Sequence, residues 1–569
     1  MKVRGFFFFS IAAILLTVCS ARAAEMPPDS VLVFLSRELN SSFQNLGKTP
    51  TPPYFLSYEL TDDNIIEISS SFGALTESDA YKTRVLDIVA RIGDFALDNT
   101  HPLRDNSRFG DFDFSSQSYR IPIENDLDAL RMALWYETDL KYKKAAQRLE
   151  QVKANVAVKV MQEDRSGDFS RAPTERYSEP EAKLRLDKVL WERKMRTYTE
   201  PFSKNNSIMS ANAHVTADIE TRRYVNSDGT AVQMSTPLYH LSIYASVKAD
   251  DGMELPLQKN YMAFRPENLP DDAVILKDVD IMIKTLMSLR NAPLAEPYTG
   301  PAILSGSASA VFFHEIFGHR VEGQRQKNED ESQTFKKKIN QAVLPDFLSV
   351  YSDPTLREIN GKELAGYYKY DDEGVKARRV NVVKDGILKN FLLSRSPVEG
   401  FTESNGHGRN QQGYKVAARQ SNLIIESKKT VSREKLKQML IDQIKASNKP
   451  YGMFFEEIEG GYTYTRRSIP NAFTVLPTVV YRVYPDGREE LVRGVDIIGT
   501  PLIAFSKIVA TDDEVGIFNG ICGAESGWVP VSAVSPGLLV SQIEVQRKEK
   551  SQEKVPLLPP PSLADSGKE

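Results

Sequence analysis

The chain has 569 residues, of which 41% are hydrophobic and 26% are charged. This composition excludes a fibrous or wholly disordered protein, and the length is enough for two or three domains. The formal net charge of -4 is small and comes from a mixture of both signs. Nothing in the charge therefore indicates nucleic acid as a partner.

The first residues are typical of a secretory signal peptide. Lys2 and Arg4 precede an apolar run over 6–18, and the small residues Ala21 and Ala23 follow at the spacing of a cleavage site. The run is shorter than the roughly 20 apolar residues that cross a bilayer. We therefore predict a signal peptide over 1–23 and an exported protein, periplasmic or extracellular, without a transmembrane segment.

Two cysteines bear on this prediction. Cys19 raises the alternative of a lipid anchor, but a lipoprotein signal places a small residue before its cysteine, and Val18 is branched. Cleavage would remove three basic residues and no acidic one, so the formal charge would go from -4 to about -7. It would also leave Cys522 without a cysteine to pair with inside the chain. That thiol is then buried, free, paired between chains or bound to a metal.

Residues 24–300 are predicted to form an N-terminal α+β domain. A helix over 29–45 is followed by two strand-like runs, 54–60 and 64–71, with the acidic segment 61–63 between them as a turn. Three Asp-Gly pairs, each between β-branched and aromatic runs, predict hairpin turns and therefore much antiparallel sheet. They are Asp228-Gly229, Asp385-Gly386 and Asp486-Gly487.

Helical spacing predicts further helices in the same domain. A helical hairpin is expected at about 125–200, with one helix over 125–161 and the other over 179–199. A long helix over 271–292 comes next, and Pro293, Pro297 and Pro301 then mark a boundary.

The remainder is predicted to be a second domain over 301–545, mostly antiparallel strands after one or two helices. The last stretch, 546–569, contains charge runs and three consecutive prolines, and we expect it to be disordered.

The run His314-Glu315-Ile-Phe-Gly318-His319 carries the clearest chemistry. Ser305 or Ser307 can cap a helix that leads into it. The two histidines are five residues apart, which on a regular helix leaves them roughly 140° apart and unable to share one ion. A π-type turn at Gly318 would bring them together, and we predict one. The helix could equally end at Phe317, with Gly318 turning the chain.

Given two histidine ligands, Glu315 is placed to act as the general base on a zinc-activated water. A catalytic zinc keeps an open position and takes three protein ligands. The third has to come from elsewhere in the chain, and the candidates are carboxylates, Cys522, His101, His214, His240 and His407.

The chain resembles the TldD/PmbA family of metallopeptidases, in particular the TldD-like members that keep the metal motif. The resemblance runs from about 199 to 545, with a vaguer likeness in the first 120 residues. The matching stretches follow one order: residues 300–323, 370–375 (YDDEGV), 383–394 (VKDGILKNFLLS), 405–409 (NGHGR), 418–423 (ARQSNL) and 516–527 (GIFNGICGAESG).

The resemblance implies a two-domain α+β architecture in which the C-terminal, mostly antiparallel β domain carries the zinc-motif helix. It also implies a zinc ion held by His314, His319 and Cys522, with Glu315 as catalytic base. The implied activity is hydrolysis of short or unfolded peptides, which lie extended against sheet edges inside a dimer. That dimer is either a homodimer or a pair with a related subunit that lacks the metal motif.

Four further residues are candidates for substrate binding: Asp371, His407, Arg409 and Arg419. Either arginine could anchor a peptide carboxylate or the carbonyl in the transition state, although surface salt bridges are as plausible. The alternative interpretations place Asp371 in an acidic turn and His407 in a turn between two glycines. One departure from the family is Gln324, where its familiar members have aspartate.

A rival function is a non-catalytic peptide-binding or assembly protein with a structural zinc site. A fourth protein ligand, for example His407, would favour it, because structural zinc sites are closed. A hydrolase of non-peptide amides would use the same metal chemistry as a peptidase.

Overall fold

The computed structural model describes residues 29–103, 119–157, 164–466 and 473–549. The predicted signal peptide, Cys19 and residues 550–569 of the predicted tail lie outside these ranges. None of the helices within the described ranges is both long and apolar enough to span a membrane.

The first part of the chain alternates helices with long strands. Its elements are α1 (Ser30–Leu46), β1 (Pro53–Ser71), β2 (Ala74–Ile92), β3 (Tyr119–Arg120), α2 (Leu127–Ala157), β4 (Arg176–Ser178), α3 (Lys188–Ser203), β5 (Ile208–Asn226), β6 (Ala231–Lys248), β7 (Glu254–Ala263) and α4 (Asp272–Asn291). The strands form one seven-stranded sheet in the order β3-β2-β1-β5-β6-β4, and β7 also pairs with β6.

The second part consists mainly of strands. Its elements are β8 (Tyr298–Leu304), α5 (Gly306–Ile316), α6 (Gln324–Lys327), β9 (Leu348–Ser352), β10 (Glu358–Ile359), β11 (Lys362–Glu363), β12 (Val380–Lys384), β13 (Ile387–Leu388), β14 (Gly408–Arg409), β15 (Ala417–Ala418), β16 (Asn422–Ser427), β17 (Thr430–Val431), α7 (Arg433–Ala446), β18 (Gly452–Thr463), β19 (Phe473–Val483), β20 (Glu489–Val492), β21 (Val495–Gly499), α8 (Pro501–Ser506), β22 (Ile508–Ala524) and β23 (Gly527–Arg547). Short 3₁₀ helices lie at Pro266–Asn268, Gly318–Val321 and Lys336–Lys338.

Twelve of these strands form a second sheet, in which most neighbours are antiparallel. The path runs β13-β12-β9-β16-β23-β21-β19-β18-β8, and β17, β20 and β22 pair beside it. Helix α5 packs against this sheet, and its apolar residues belong to the largest hydrophobic core. Mixed helices and sheets of this kind agree with the predicted α+β class.

The Asp-Gly pairs lie where hairpin turns are predicted. Gly229 (φ +90°), Gly386 (φ +77°) and Gly487 (φ +88°) occupy the left-handed region that glycine adopts without strain. They separate β5 from β6, β12 from β13 and β19 from β20. The helix predicted over 271–292 is also confirmed, as α4.

The predicted turn at 61–63 is wrong, because β1 continues through it from Pro53 to Ser71. Each residue of the segment pairs with both β2 and β5. Asp62 is accommodated in the strand because it forms ion pairs with Arg84 of β2 and with Arg223 of β5. A paired carboxylate carries little of the cost that normally keeps aspartate out of a sheet.

The predicted helical hairpin needs a correction as well. Both helices exist, but α2 packs with α1 and the start of the sheet, whereas α3 packs with α4 on a different core. The apolar residues of α2 therefore pack in the core formed with α1 and the first strands, and not against α3.

Candidate metal centre

Helix α5 places the first histidine and the glutamate side by side in a buried position. Ser305 is its N-cap, and the Ser305 hydroxyl accepts a hydrogen bond from the amide of Ala308 at 3.2 Å. The helix is short, from Gly306 to Ile316, and His314 and Glu315 stand in its last turn. The capping predicted from the serine-rich segment is confirmed at Ser305.

The helix ends before the second histidine, so the predicted π-type turn is wrong and the alternative of a helix end is correct. Phe317 caps α5, and Gly318–Val321 forms a 3₁₀ turn that delivers His319. The ring centroids of His314 and His319 are 5.1 Å apart with an interplanar angle of 68°. A change of helix type therefore removes the angular mismatch of the five-residue spacing.

Gly318 is required by a close contact at this point. A Cβ at this position would lie 1.8 Å from the side-chain oxygen of Gln420. The glycine thus lets the segment between β15 and β16 approach the turn that carries His319.

Cys522 reaches the histidines from strand β22, opposite Val529 of β23. Its Sγ lies 3.3 Å from Nε2 of His319. One ligand atom from each of His314, His319 and Cys522 fits within a group whose members are all within 4.8 Å of one another. Two imidazoles and a thiol at this separation form a set that could bind a metal ion.

The donor atoms themselves fit a metal such as zinc. Nδ1 of His314 is buried and has no hydrogen-bond partner among the described residues, which is costly unless a ligand satisfies it. Imidazole nitrogen and thiolate sulfur are the donors that zinc favours in proteins. The histidines lower the pKa of Cys522 well below its usual range, against the effect of burial. The thiol is thereby held in its metal-binding form.

Glu322 binds the ring nitrogen of His319 that is not directed at Cys522. Its carboxylate, which is fully buried, accepts a hydrogen bond from Nδ1 of His319 at 3.3 Å and one from Nε of Arg325 at 2.8 Å. Burial alone would raise its pKa, but the charges of His319 and Arg325 lower the pKa to about 2. A permanent carboxylate here fixes the ring so that Nε2 faces Cys522.

Glu315 lies beside this group without being part of it. Its side chain is only 9% exposed, and an added Cβ on Gly461 of β18 would lie 3.0 Å from its Cγ. Burial raises its pKa, and the two histidines oppose that shift. A carboxyl group with a raised pKa is suited to accept a proton and to give it up again.

The three possible ligands and Glu315 line one end of a cavity of about 660 Å³. The other walls come from β18, at Glu459 to Thr463, and from the hairpin of β22 and β23. Among the described residues, three side chains form the possible ligand set, and all three line the cavity. A metal bound there would keep an open coordination position.

The four residues predicted to bind substrate lie in different environments in the structure. His407 is 0% exposed and its ring contacts Asn405 and Ser352, while burial lowers its pKa to about 3. Asp371 accepts hydrogen bonds from backbone amides of its own turn and from Gly408. Neither side chain is available to a substrate, so both predictions are corrected, and His407 does not provide a fourth ligand.

The two arginines differ from each other. Arg419 is fully buried and binds the hairpin that carries Cys522, so direct substrate contact is excluded for it as well. Arg409 lines a second cavity of about 350 Å³ between the two sheets. It donates to the carbonyl oxygens of Gln420 and Pro530. Substrate binding by Arg409 therefore stays a prediction, and this second cavity lies away from the metal group.

Sequence reasoning missed the acidic and basic residues that surround the group. Arg325 donates to Glu322, Glu331 and Glu525, and Gln324 donates to Glu525 at 2.8 Å. An aspartate at position 324 would place a second carboxylate against Glu525, which gives a physical reason for the glutamine. The one signal available was the clustering of charged residues directly after His319.

Comparison with known proteins assigns the class of the second half of the chain. Residues 297–547 match the family described as PmbA/TldA metallopeptidase C-terminal domain. This range contains the histidines, Glu315 and Cys522, so the similarity to that family covers the candidate centre.

Individual relatives agree with that class. A metalloprotease of Archaeoglobus fulgidus is 28% identical over 258 residues, which cover 45% of this chain and 56% of that protein. A zinc metalloprotease TldD homolog of Saccharolobus solfataricus is 24% identical over 260 residues, covering 45% of this chain and 53% of that protein. The chain therefore spans about half the length of the curated relatives it matches.

The likeness of fold extends further than the likeness of sequence. The crystal structure of TldE from Thermococcus kodakarensis matches with a TM-score of 0.57 at 13% identity, covering 91% of this chain and 100% of that one. At this identity the comparison concerns the fold, which the two proteins share over nearly their whole length.

Proposed function

We propose that the protein is a zinc-dependent peptidase that belongs as a whole to the TldD-like family and hydrolyses short or unfolded peptides. The observation that carries the proposal is the placement of His314, His319 and Cys522 together at one end of a cavity. The matches to proteins named metalloproteases support the same class.

His314, His319 and Cys522 would hold the metal, and Glu315 would handle the proton. Zinc bound there would act as a Lewis acid, polarising the peptide carbonyl and lowering the pKa of water. Glu315, adjacent to His314, would take a proton from the attacking water and pass it to the leaving amine. Glu322 would keep the His319 ring in its ligating orientation through the 3.3 Å hydrogen bond.

The strands around the cavity suit an extended peptide. Beyond Phe455, β18 pairs with β19 on one edge, and its other edge has no partner strand within the described ranges. Likewise, β22 from Val515 onward pairs with β23 alone among the strands described. A peptide could add to either edge by main-chain hydrogen bonds, which would give weak side-chain specificity.

The direct test uses purified protein and a library of unstructured peptides, incubated with and without a chelator and read by mass spectrometry. Cleavage that chelator abolishes and added zinc restores is expected. A folded protein that binds zinc and cleaves no peptide would contradict the proposal, and would favour a structural or assembly role. Cleavage products would also show whether bonds are cut internally or at the ends.

We also propose that the protein is exported. The support is the charged and apolar pattern of the first 23 residues. Fractionation of cells that express the full chain, followed by determination of the mature N-terminus, is expected to give a shortened chain outside the cytoplasm. A full-length cytoplasmic protein would contradict this proposal without affecting the peptidase proposal.

The proposed assembly is a dimer, of two copies or with a related subunit that lacks the metal motif. The exposed apolar side chains at the β22–β23 hairpin are compatible with an interface, Trp528 being 61% exposed. Light scattering of the purified protein, alone and with a co-expressed related subunit, would distinguish these two forms from a monomer.

A further inference from the structure

The two-residue segment Arg419-Gln420 contacts every part of the chain that supplies a candidate metal ligand. Arg419 donates a hydrogen bond to the carbonyl oxygen of Cys522 at 2.7 Å. Gln420 donates one to the carbonyl oxygen of His314 at 3.2 Å. Arg419 also lies 3.6 Å, Nε to Oε1, from Glu322, which binds His319. One short segment thus joins α5, the 3₁₀ turn and β22.

On the cysteine side, Arg419 fixes the end of the hairpin. Its Nη1 donates to the Ser526 hydroxyl at 2.8 Å and to the carbonyl oxygen of Gly527 at 3.0 Å, while Nη2 binds Cys522. The donors of a guanidinium lie in one rigid plane. These three bonds therefore set the orientation of the backbone at Cys522 relative to the turn between β22 and β23.

On the histidine side, Gln420 packs on the turn after α5. Its side chain occupies the space that a Cβ on Gly318 would need, and its amide nitrogen holds the last turn of the helix at His314. The 419–420 segment is itself anchored, since the amide of Arg419 donates to the carbonyl oxygen of His407 at 2.9 Å. Both residues are almost completely buried, so the contacts are screened little by water.

We infer that Arg419 and Gln420 are positioning residues, which set the distance between the thiolate and the two imidazoles before a metal arrives. This inference needs one part of the proposed function, namely that His314, His319 and Cys522 bind a metal ion. It does not need the peptidase activity. Ligands from segments about 200 residues apart need such a link, because metal affinity depends on how well the ligand geometry is held.

The test measures metal affinity in the full chain. Arg419→Lys keeps a positive charge but cannot make the planar set of three bonds. We expect its zinc affinity, measured by competition with a chromophoric chelator, to fall by about 10- to 100-fold. In the cobalt-loaded protein the thiolate-to-cobalt charge-transfer absorption per cobalt should weaken, while visible d–d bands of the bound ion persist.

Arg395→Lys is the matched control. Arg395 is also completely buried and donates two hydrogen bonds to the carbonyl oxygen of Ser170, away from the metal group. It should lower the thermal midpoint of the metal-free protein and leave the zinc affinity unchanged. If Arg419→Lys does not fold, Gln420→Met provides the test, because it removes only the bond to His314.

The outcomes separate the two proposals. Zinc affinity and cobalt absorption equal to the wild type in the Arg419 and Gln420 variants would overturn the positioning role, whatever the peptidase activity. A wild type that binds zinc but cleaves no peptide would overturn the peptidase and leave the positioning role intact. A wild type that binds no metal at all would overturn both.

Discussion

Glu315 is the residue on which the proposed chemistry depends most directly. The substitution Glu315→Gln keeps the size of the side chain and removes its ability to take a proton. Since general acid-base groups contribute about 10²- to 10⁴-fold, we expect kcat to fall within that range with an unchanged zinc content. Peptide turnover and metal analysis of the same preparation check this.

The control is Glu150→Gln, because Glu150 is exposed on α2 and does not line the cavity of the metal group. It should retain turnover close to that of the wild type. Full activity in Glu315→Gln would show that another group carries the proton.

Cys522 is expected to act as a ligand, which gives a second prediction at this scale. Cys522→Ser replaces a thiolate, already favoured by the neighbouring histidines, with a hydroxyl that binds zinc weakly. Zinc retained after dialysis should drop well below one ion per chain, as measured by metal analysis. A variant with the zinc content of the wild type would exclude Cys522 from the site.

The residues of the site were predictable to different degrees. His314, Glu315 and His319 stand in one motif, and Cys522 would have no cysteine to pair with after the predicted cleavage, so the sequence indicated both parts of the site. Asp371 and His407 were misjudged because their hydrogen-bond partners come from other loops. Burial is a property of the folded chain, and residue type alone does not reveal it.

At the scale of elements, the end of helix α5 decides whether the two histidines meet. Gly318→Ala would place a Cβ 1.8 Å from the side-chain oxygen of Gln420, so either the turn or the segment between β15 and β16 has to move. Overpacking of this kind costs about 1–3 kcal/mol. We expect a lower free energy of unfolding by denaturant titration and a weaker zinc affinity.

Gly460→Ala is the comparison for this change, since a Cβ there would meet no heavy atom within 4 Å. It should be nearly neutral in both measurements. Equal behaviour of the two variants would mean that the turn has room to adjust and that Gly318 is not needed for the geometry.

Elements with a strong local signal were predicted well. The periodicity of α4 and the Asp-Gly turns depend on residues close in sequence. Strand β1 was predicted as two strands with a turn between them, because aspartate is typical of turns. The ion pair of Asp62 with Arg223, which lies far along the chain, is visible only in the structure. The packing of α2 and α3 on separate cores is likewise set by sheet contacts that helical spacing does not reveal.

At the scale of the whole molecule, the two sheets enclose an acidic cavity whose carboxyl groups should make stability depend on pH. Burial and the neighbouring carboxylates of Asp63 and Glu220 raise the pKa of Asp218 to about 8. One of its oxygens is buried without a hydrogen-bond partner among the described residues. The group is therefore held more readily in its neutral form in the native protein than in the unfolded chain.

The native state accordingly binds more protons than the unfolded state between pH of about 4 and about 8, and the free energy of unfolding should decrease as pH rises through that window. Asp218→Asn removes this contribution. We expect the variant to be more stable than the wild type at pH 9, by on the order of 1 kcal/mol, and to show a flatter pH profile in denaturant titrations.

The exposed Asp79 of β2 supplies the control, as Asp79→Asn. It should follow the wild-type profile. If the Asp218 variant had the same pH slope as the wild type, the carboxyl group would be ionised in the native protein, and its environment would be more polar than the structure indicates.

The distance in sequence between His319 and Cys522 has a consequence for when the proposed metal site can form. Ribosomes make the histidine segment about 200 residues before the strand that carries the thiol, and β23, the last described strand, holds that strand in place. The proposed metal site is therefore complete only after β22 and β23 have been made. Under the proposed function, a nascent chain that lacks β22 would be unable to cut a peptide, including its own. If the site has the proposed peptidase activity, its late completion protects the chain and its surroundings from premature cleavage.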